Sequence, residues 1–309
     1  MLYKEWLDDW LEYYVKPTVK GKTYNRYFEI VEKHLIPKLG GYDLDELKPI
    51  IVQKFVTELM YNGNLKTGQG LSANSVNGII IVVRNSLSTA FRLGMVEECA
   101  ADKIKRPRTE EKTVSCFSAS EQKKIEQAVM ADKRDKMVGI ILCLYTGLRL
   151  GELLALEWDD IDFPKCELSV SKTCHDGKDE LGNYRKIIDT PKTVSSKRVI
   201  PVPKQIIPLL RDIKKRSQSS FVIAGGKNGV SVRSYQRSFA LLQAKLKISH
   251  HGFHALRHTF ATRAIECGMD VKSLSEILGH KSPTVTLNRY VHSLMAHKKE
   301  YMNRLGKLF

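Results

Sequence analysis

Cysteine is too sparse and too scattered in this sequence to build a disulfide framework. The 309 residues contain six cysteines, and no two of them form a Cys-x-x-Cys pair. Disulfide-rich domains and thiolate zinc sites both depend on closely and regularly spaced cysteines. The sequence therefore indicates reduced thiols that pack as small side chains.

Long apolar runs are also missing. The N-terminus carries acids, Glu5, Asp8 and Asp9, where an export signal needs an uncharged apolar stretch. The longest nearly apolar run, Met137 to Tyr145, is about half of the ~20 residues that a membrane span requires. We expect a cytoplasmic protein with no membrane partner, in which this run is a buried helix.

Acidic residues are few relative to basic ones. The chain has 34 Asp and Glu against 50 Lys and Arg, which gives a formal net charge of +16. Such an excess indicates a polyanionic partner, because each phosphate neutralised by a cation releases condensed counterions. Nucleic acid is the first candidate, and a basic surface that is merely solvated is the alternative.

The residue pattern divides the chain into two predicted domains. Residues 1–102 have apolar side chains at three-to-four spacing and no strand-like alternation, which predicts a helical domain. Residues 103–113 are charged and interrupted by proline, as is typical of an interdomain linker. Residues 114–309 follow, and their first helix is predicted at Ser118, because Ser118 and Glu121 have the spacing of a capping box.

The middle of the second domain has β-like patterning. We predict strands at Glu167–Lys172, Tyr184–Ile188 and Lys197–Val202, with turns at Asp176-Gly177 and Gly182-Asn183. Helical patterning resumes after them and continues to the end of the chain. The expected fold class is mainly α with a small antiparallel β-sheet (α+β).

A first cluster of interest surrounds Arg149. This arginine lies between Gly147 and Gly151, at the start of a helix that directly follows an apolar one. An ion pair with a nearby acid such as Glu152 explains the arginine as well as anion binding does. This segment alone leaves both interpretations open.

A second cluster, residues 254–260, contains two histidines and an arginine. His254 and Arg257 are three residues apart, so they share one face of a helix and can reach one anion. Zinc binding by His254, His258 and His280 is the alternative. It lacks an obvious fourth ligand and the His-Glu-x-x-His pattern.

A third cluster predicts two helices joined by a tight connection. Gly279 is suited to end the first helix, while Ser282 and Pro283 are suited to begin the second. His280 then lies in the connection, and Tyr290 lies about two turns into the second helix. Core packing is the ordinary explanation of a single helical tyrosine, so any role for Tyr290 depends on the whole set.

Taken in chain order, the clusters resemble the signature of tyrosine recombinases, also called phage integrases: Arg, Lys, His-x-x-Arg, His or Trp, and Tyr. The resemblance covers residues 114–309, and residues 1–102 are similar, with weaker motifs, to the helical core-DNA-binding domain of that family. It implies a tyrosine-recombinase catalytic domain. The residues that match the catalytic positions are Arg149, Lys192, His254, Arg257, His280 and Tyr290.

The lysine of the signature has several competitors in the β region. The family carries it in a turn between two strands, within a pattern like Lys-Thr-x-x-Ser-x-Arg, and residues 192–198 fit this pattern. We therefore assign Lys192, with Lys197 as the second choice. Arg198, together with the basic residues of the linker, is predicted to contact DNA; the linker residues are Lys103, Lys105, Arg106 and Arg108.

The resemblance implies a covalent mechanism. Tyr290 attacks a DNA phosphate to give a 3′-phosphotyrosine and a free 5′-hydroxyl, and no metal, ATP or other cofactor is needed. The two arginines and His280 stabilise the phosphate charge, Lys192 protonates the leaving oxygen, and His254 exchanges the tyrosine proton. Glu152 matches an acid that supports the first arginine.

The implied function is site-specific DNA recombination for the integration and excision of a mobile element. The long charged connector 174–189 resembles that of integrases from Gram-positive conjugative transposons and prophages. The implied partners are double-stranded recombination sites, an excision factor, and three further copies in a tetramer on two duplexes, joined through the C-terminal helix. The setting is the bacterial cytoplasm, with the DNA-bound protein at the nucleoid.

Two other functions remain open at this stage. One is a DNA-binding accessory protein that occupies sites without cutting, although the intact set of catalytic residues speaks against it. The other is a related DNA resolvase or topoisomerase with the same chemistry.

The apolar spacing of Leu294, Tyr301, Leu305 and Leu308 also suits a C-terminal helix that packs on its own domain.

Overall fold

The computed structural model describes residues 1–109, 115–132, 134–178, 184–189, 197–225, 229–290, 302–303 and 305–306. The contacts divide the chain into two compact units, Met1–Lys112 and Thr113–Phe309, which are taken separately. No helix among the described residues combines the length and the apolar character that crossing a membrane requires.

The described part of the first unit is built from helices, as its sequence pattern predicted. Its α-helices are α1 (Tyr3–Asp9), α2 (Gly21–Ile30), α3 (Ile36–Leu39), α4 (Pro49–Asn62) and α5 (Ala73–Arg92). π-helical segments, Trp10–Val15 and Val31–Leu35, continue α1 and α2, and short 3-10 turns cover Leu44–Glu46 and Ala100–Asp102.

The core of the first unit forms where α1 packs across α5. The Tyr3 hydroxyl is hydrogen-bonded to Ser86 Oγ at 2.6 Å, and the Trp6 indole donates to the Ser86 carbonyl at 3.3 Å. One turn further, the Trp10 indole donates to Thr89 Oγ1 at 3.3 Å. Each buried aromatic polar atom thus finds a partner on α5, which fixes the register of the two helices.

The second unit begins with a capped helix, and this prediction is confirmed. Ser118 Oγ accepts the Glu121 backbone N–H, while the Glu121 carboxylate accepts the Ser118 N–H at 2.9 Å. The helices are α6 (Ala119–Met130), α7 (Val138–Thr146), α8 (Leu150–Ala155), α9 (Ile207–Arg216), α10 (Val232–Lys245), α11 (His254–Glu266), α12 (Val271–Leu278) and α13 (Pro283–Tyr290).

The apolar run that is too short for a membrane span forms α7, at the centre of the second unit. Nearly every side chain of this helix is buried, from Val138 to Thr146. The expectation of a buried helix is confirmed. A helix that is apolar on all sides must be covered on all sides, so α7 supports the elements that surround it.

The strands of the second unit form two small antiparallel sheets. β1 (Ile161–Asp162), β2 (Glu167–Val170) and β5 (Arg198–Pro201) pair in the order β1-β2-β5, and β3 (Thr173–Lys178) pairs with β4 (Tyr184–Asp189). The predicted class, mainly α with a small antiparallel β component, is confirmed. Two separate sheets, rather than one, are the difference from the expectation.

The turn predicted at Asp176-Gly177 is wrong. Both residues lie in β3, where Asp176 is opposite Lys186 and Gly177 is opposite Arg185. Tertiary contacts account for this: the Asp176 carboxylate accepts the first backbone N–H groups of α10, from Val232 and Arg233, at 3.0 Å each. The second predicted turn, Gly182-Asn183, lies outside the described residues.

Candidate active site

The C-terminal end of α12 organises the site. The last carbonyl groups of an α-helix have no partner within the helix and carry its partial negative charge. Here three consecutive carbonyls each accept a hydrogen bond from a different arginine. The pairs are Arg198 Nε to Ile277 O at 2.5 Å, Arg257 Nη2 to Leu278 O at 2.6 Å, and Arg149 Nη2 to Gly279 O at 2.9 Å.

These three arginines come from three different elements. Arg149 immediately precedes α8, Arg257 lies in the first turn of α11, and Arg198 begins β5. Arg257 also donates from Nη1 to Gly147 O at 2.8 Å, beyond the end of α7. The helix end thus brings together residues that are far apart in sequence, including both arginines of the predicted catalytic set.

Glu152 lies among the arginines and is buried. Its carboxylate accepts Nη1 of Arg149 at 2.7 Å and Nη1 and Nη2 of Arg198 at 3.1 and 2.9 Å. Burial alone raises the pKa of this carboxyl, but the hydrogen bonds and charge of Arg198 and the charge of Arg149 outweigh it and hold the pKa below its ordinary value. Glu152 is therefore an anion at neutral pH.

Arg198 has partners within the protein. Its side chain is only 7% exposed, and its guanidinium is held by Glu152 and by the end of α12. The DNA contact predicted for Arg198 stays a prediction. The burial of Arg198 could not be recognised from the motif, because it depends on elements that are distant in the sequence.

Gly279 is required by the same packing. Its φ of +62° is left-handed, which favours glycine, and a Cβ at this position would lie 3.1 Å from Cδ and Nη1 of Arg198. The predicted helix end at Gly279 is confirmed, as is the start of α13 at Pro283, with Ser282 Oγ accepting the Thr284 N–H at 3.2 Å.

His280 leaves this turn directly beside Arg257. Its Nε2 is 3.0 Å from Nη2 of Arg257, and its Nδ1 is 2.8 Å from Oγ1 of the buried Thr286. Because a guanidinium only donates, Nε2 must accept in this contact and Nδ1 carries the proton. Protonation of Nε2 would turn it into a donor.

Arg257 is the most deeply buried of the three arginines, with 2% exposure. Burial lowers the pKa of its guanidinium to about 9, helped by the like charges of Arg149 and Arg198 and opposed by Glu152 and Tyr290. The group is still cationic at neutral pH. Arg149, whose side chain is 35% exposed, is accessible from outside.

Tyr290 lies at the end of α13, about two turns from its start, as predicted. It is 3% exposed and packs with residues of α11 and α12. Its hydroxyl is hydrogen-bonded to Nδ1 of His258 at 2.6 Å. Core packing and a chemical role are therefore compatible for Tyr290, because its ring is buried while its hydroxyl contacts the His258 imidazole.

His258 was missed as a candidate for the recombinase chemistry. The sequence analysis considered it only as a zinc ligand, although it follows His254 by four residues and so lies on the same helix face. The two rings meet edge to face with centroids 4.5 Å apart, and His254 is the exposed member. The proton-exchange role assigned to His254 stays a prediction.

Zinc binding finds no support in the part of the chain that the structure describes. There, no group of three or more His, Cys, Asp or Glu side chains is arranged to hold a metal ion.

Lys192 lies outside the described residues, so its assignment also stays a prediction. The second choice, Lys197, is exposed. Two other lysines of the β region have structural partners: Lys172 pairs with Glu157, and Lys186 donates to Leu154 O at 2.6 Å. Burial lowers the pKa of Lys186, whose ammonium also lies 3.8 Å above the Phe221 ring.

The basic linker residues belong to the first unit and are exposed. The backbone of Lys105 is held by Gln53, whose Oε1 accepts its N–H at 2.8 Å, and the Lys103 side chain pairs with Glu98. Surface exposure is compatible with contacts to a DNA backbone. The exposed residues are Lys103, Lys105, Arg106 and Arg108.

Comparison with known proteins is consistent with this geometry. The family profile described as "Phage integrase family" matches residues 112–297, and that of "Phage integrase, N-terminal SAM-like domain" matches residues 2–60. A XerC-like tyrosine recombinase of Caldanaerobacter subterraneus is 29% identical over 97% of this chain and 81% of its own. The ICEBs1 integrase of Bacillus subtilis is 26% identical over 94% and 78%.

Two solved structures have the same fold. The Tn1549 transposon integrase in complex with a circular intermediate DNA gives a TM-score of 0.81 at 23% identity, over 99% of both chains. A lambda integrase tetramer bound to a Holliday junction gives a TM-score of 0.68 at 21% identity, over 92% of this chain and 79% of that one.

The ion-pair network predicts the behaviour of Glu152→Gln. We expect the variant to lose on the order of 3 kcal/mol of unfolding free energy at pH 7, because buried arginines are left without their counter-charge. Since the folded-state pKa of Glu152 lies below its ordinary value of 4.5, this stabilisation is present above pH 4.5. It is lost as the pH falls through the folded-state pKa.

The measurement is denaturant unfolding of both proteins from pH 7 downward. The matched control is Glu266→Gln, which removes an i,i+3 pair with Arg263 that is about one-third exposed and should cost less than about 1 kcal/mol. Equal losses in the two variants, or a Glu152→Gln loss that grows on acidification, would contradict the network.

Proposed function

Because this chain belongs to the phage integrase family, we propose that it is a site-specific DNA recombinase that integrates and excises a mobile element by means of Tyr290. The observation that carries the proposal is the set of arginines at the end of α12, which lies in the same unit as Tyr290. Residues 1–102 serve as core-DNA-binding domain, 103–113 as linker and 114–309 as catalytic domain.

The arginine set suits a phosphodiester electrostatically. Arg149 and Arg198 bond the Glu152 carboxylate, and Arg257 bonds the end of α12 beside them, so three cationic groups lie together. A phosphodiester brings one negative charge, and attack on it develops more charge on the non-bridging oxygens. Arg149 and Arg257 offer planar paired donors to those oxygens, and His280, next to Arg257, adds another donor once Nε2 is protonated.

Strand cleavage then proceeds without an external energy source. The Tyr290 oxygen forms a bond to phosphorus while the bond from phosphorus to the 5′-oxygen breaks, so the phosphodiester is exchanged for a phosphotyrosine. Lys192 supplies the proton to the 5′-oxygen, and the family signature assigns the tyrosine proton to His254. Attack by the 5′-hydroxyl of a partner strand reverses the step and completes exchange. No metal or cofactor takes part.

The proposed partner is double-stranded DNA carrying the recombination site. The net charge of +16 and the exposed basic linker support it. By analogy with the lambda integrase tetramer bound to a Holliday junction, four copies join two duplexes. The contact proposed between copies is the C-terminal helix predicted from the sequence, most of which lies outside the described residues. An excision factor sets the direction, and the protein acts in the bacterial cytoplasm, at the nucleoid.

The first test of the function is Tyr290→Phe. A nicked suicide substrate made from the ends of the parent element should give a covalent protein–DNA adduct with the unchanged protein and none with the variant. DNA affinity should stay within about twofold, because only a hydroxyl is removed. Tyr145→Phe is the matched control, since Tyr145 lies outside the site and bonds Glu126. An adduct that persists in Tyr290→Phe would rule out this nucleophile.

The second test is Arg149→Lys. Lysine keeps the charge but loses the planar pair of donors, so the cleavage rate at saturating protein should fall on the order of 10³-fold. The control is Arg216→Lys at a surface ion pair with Asp212, which should leave the rate unchanged. Equal rates for all three proteins would remove Arg149 from the phosphate site.

The third test is metal removal. Cleavage should proceed at the same rate in excess EDTA, because arginines and histidine supply the charge stabilisation that a divalent ion supplies in metal-dependent phosphoryl transfer. The measurement is adduct formation with and without EDTA. Loss of cleavage that added Mg²⁺ or Zn²⁺ restores would contradict the mechanism.

A further inference from the structure

The hydroxyl of Tyr290 meets a histidine that the recombinase signature does not contain. His258 Nδ1 lies 2.6 Å from the Tyr290 oxygen, which is a short, well-formed hydrogen bond. The geometry points to His258 as a catalytic residue: in place of His254, to which the family signature assigns this proton, His258 accepts the proton of Tyr290 as the oxygen attacks the phosphate. This inference rests on the proposed function, since it requires that Tyr290 is the nucleophile.

The direction of the hydrogen bond supports the assignment. A phenol has an ordinary pKa of about 10, so at neutral pH Tyr290 carries its proton and donates it. His258 Nδ1 must then accept, which requires an imidazole without a proton on Nδ1. This is the state in which a histidine acts as a general base.

Burial of Tyr290 makes a protein acceptor necessary. The residue is 3% exposed and packs in a cluster with Ala261, Ala264, Leu274 and Leu278. Bulk water has little access to such a hydroxyl, so the proton must pass to a nearby side chain. His258 is half-buried and already in contact with it.

His258 is held in place from both sides. Its ring contacts the His254 ring edge to face at 4.5 Å between centroids, and the Tyr290 ring at 5.7 Å. It also directly follows Arg257, which donates to the end of α12. One turn of α11 therefore carries both Arg257, which binds the phosphate, and His258, which accepts the proton. The helix fixes the spacing between these two side chains.

The proton and electron pairs balance over the complete cycle. As the oxygen–phosphorus bond forms, the Tyr290 proton moves to Nδ1 of His258, giving an imidazolium. The 5′-oxygen leaves with a proton from Lys192. When a 5′-hydroxyl later attacks the phosphotyrosine, its proton passes to Lys192 and the bond from phosphorus to the tyrosine oxygen breaks. That oxygen takes its proton back from His258, so both side chains are restored.

The test is single-turnover cleavage of the suicide DNA at saturating protein. His258→Ala should cleave about 10² to 10⁴ times more slowly than the unchanged protein, the range that general base catalysis contributes, with DNA affinity within about twofold. His251→Ala is the matched control, because His251 also bonds hydroxyl groups, those of Ser115 and Ser249, away from the site. It should cleave at the normal rate.

A second variant separates proton transfer from positioning. His258→Asn can place an amide oxygen near the position of Nδ1 and accept the tyrosine hydrogen bond, but it cannot take up the proton. It should stay as slow as His258→Ala. Recovery of the rate in His258→Asn would overturn the inference, because a positioning contact would then be sufficient.

A modified substrate identifies which proton is affected. DNA with sulfur in place of the 5′-bridging oxygen has a leaving group that needs no protonation. The His258 variants should remain slow on it, whereas full rescue would assign His258 to the leaving group and overturn the inference. If the unchanged protein forms no adduct, the proposed function fails. If it does and His258→Ala matches it, only the inference fails.

Discussion

The three carbonyls at the end of α12 are the interaction on which the candidate site depends. They bind Arg149, Arg198 and Arg257, which come from three elements, and so they align α8, α11 and β5 around one helix end. Gly279 then turns the chain sharply, and α13 follows and carries Tyr290. The three arginines and Tyr290 are thus positioned by the same helix terminus, rather than by separate loops.

Such an arrangement concentrates like charges around one helix end. Carbonyl dipoles and Glu152 offset the repulsion among the guanidiniums, yet burial and the neighbouring arginines still lower the pKa of Arg257 to about 9. In the proposed function, a phosphate oxygen entering the site brings a negative charge to these guanidiniums. Binding of the anion and stability of the site are therefore linked, because a ligand that binds only the folded state stabilises it.

Caps and turns formed by hydrogen bonds between neighbouring residues could be predicted from the sequence, whereas contacts between distant residues could not. The capping box at Ser118 and the turn from Gly279 to Pro283 involve atoms within four residues, and both were correct. Asp176 had the composition of a turn, but it caps α10, which lies more than fifty residues away. Arg198 belonged to a recognisable motif, yet its burial depends on its contacts with Glu152 of α8 and with the end of α12, which are distant in the sequence.

His258 illustrates the same limit at the centre of the site. The spacing of His258 from His254 and Arg257 can be read from the sequence. Which of these side chains contacts Tyr290 depends on where α13 packs against α11. That packing buries Tyr290 among small and apolar residues, including Ala261 and Leu278. As the proposed nucleophile, Tyr290 would exchange its proton with a neighbouring side chain rather than with solvent. The side chain in contact with its hydroxyl then matters to the chemistry as much as the residues that hold the phosphate.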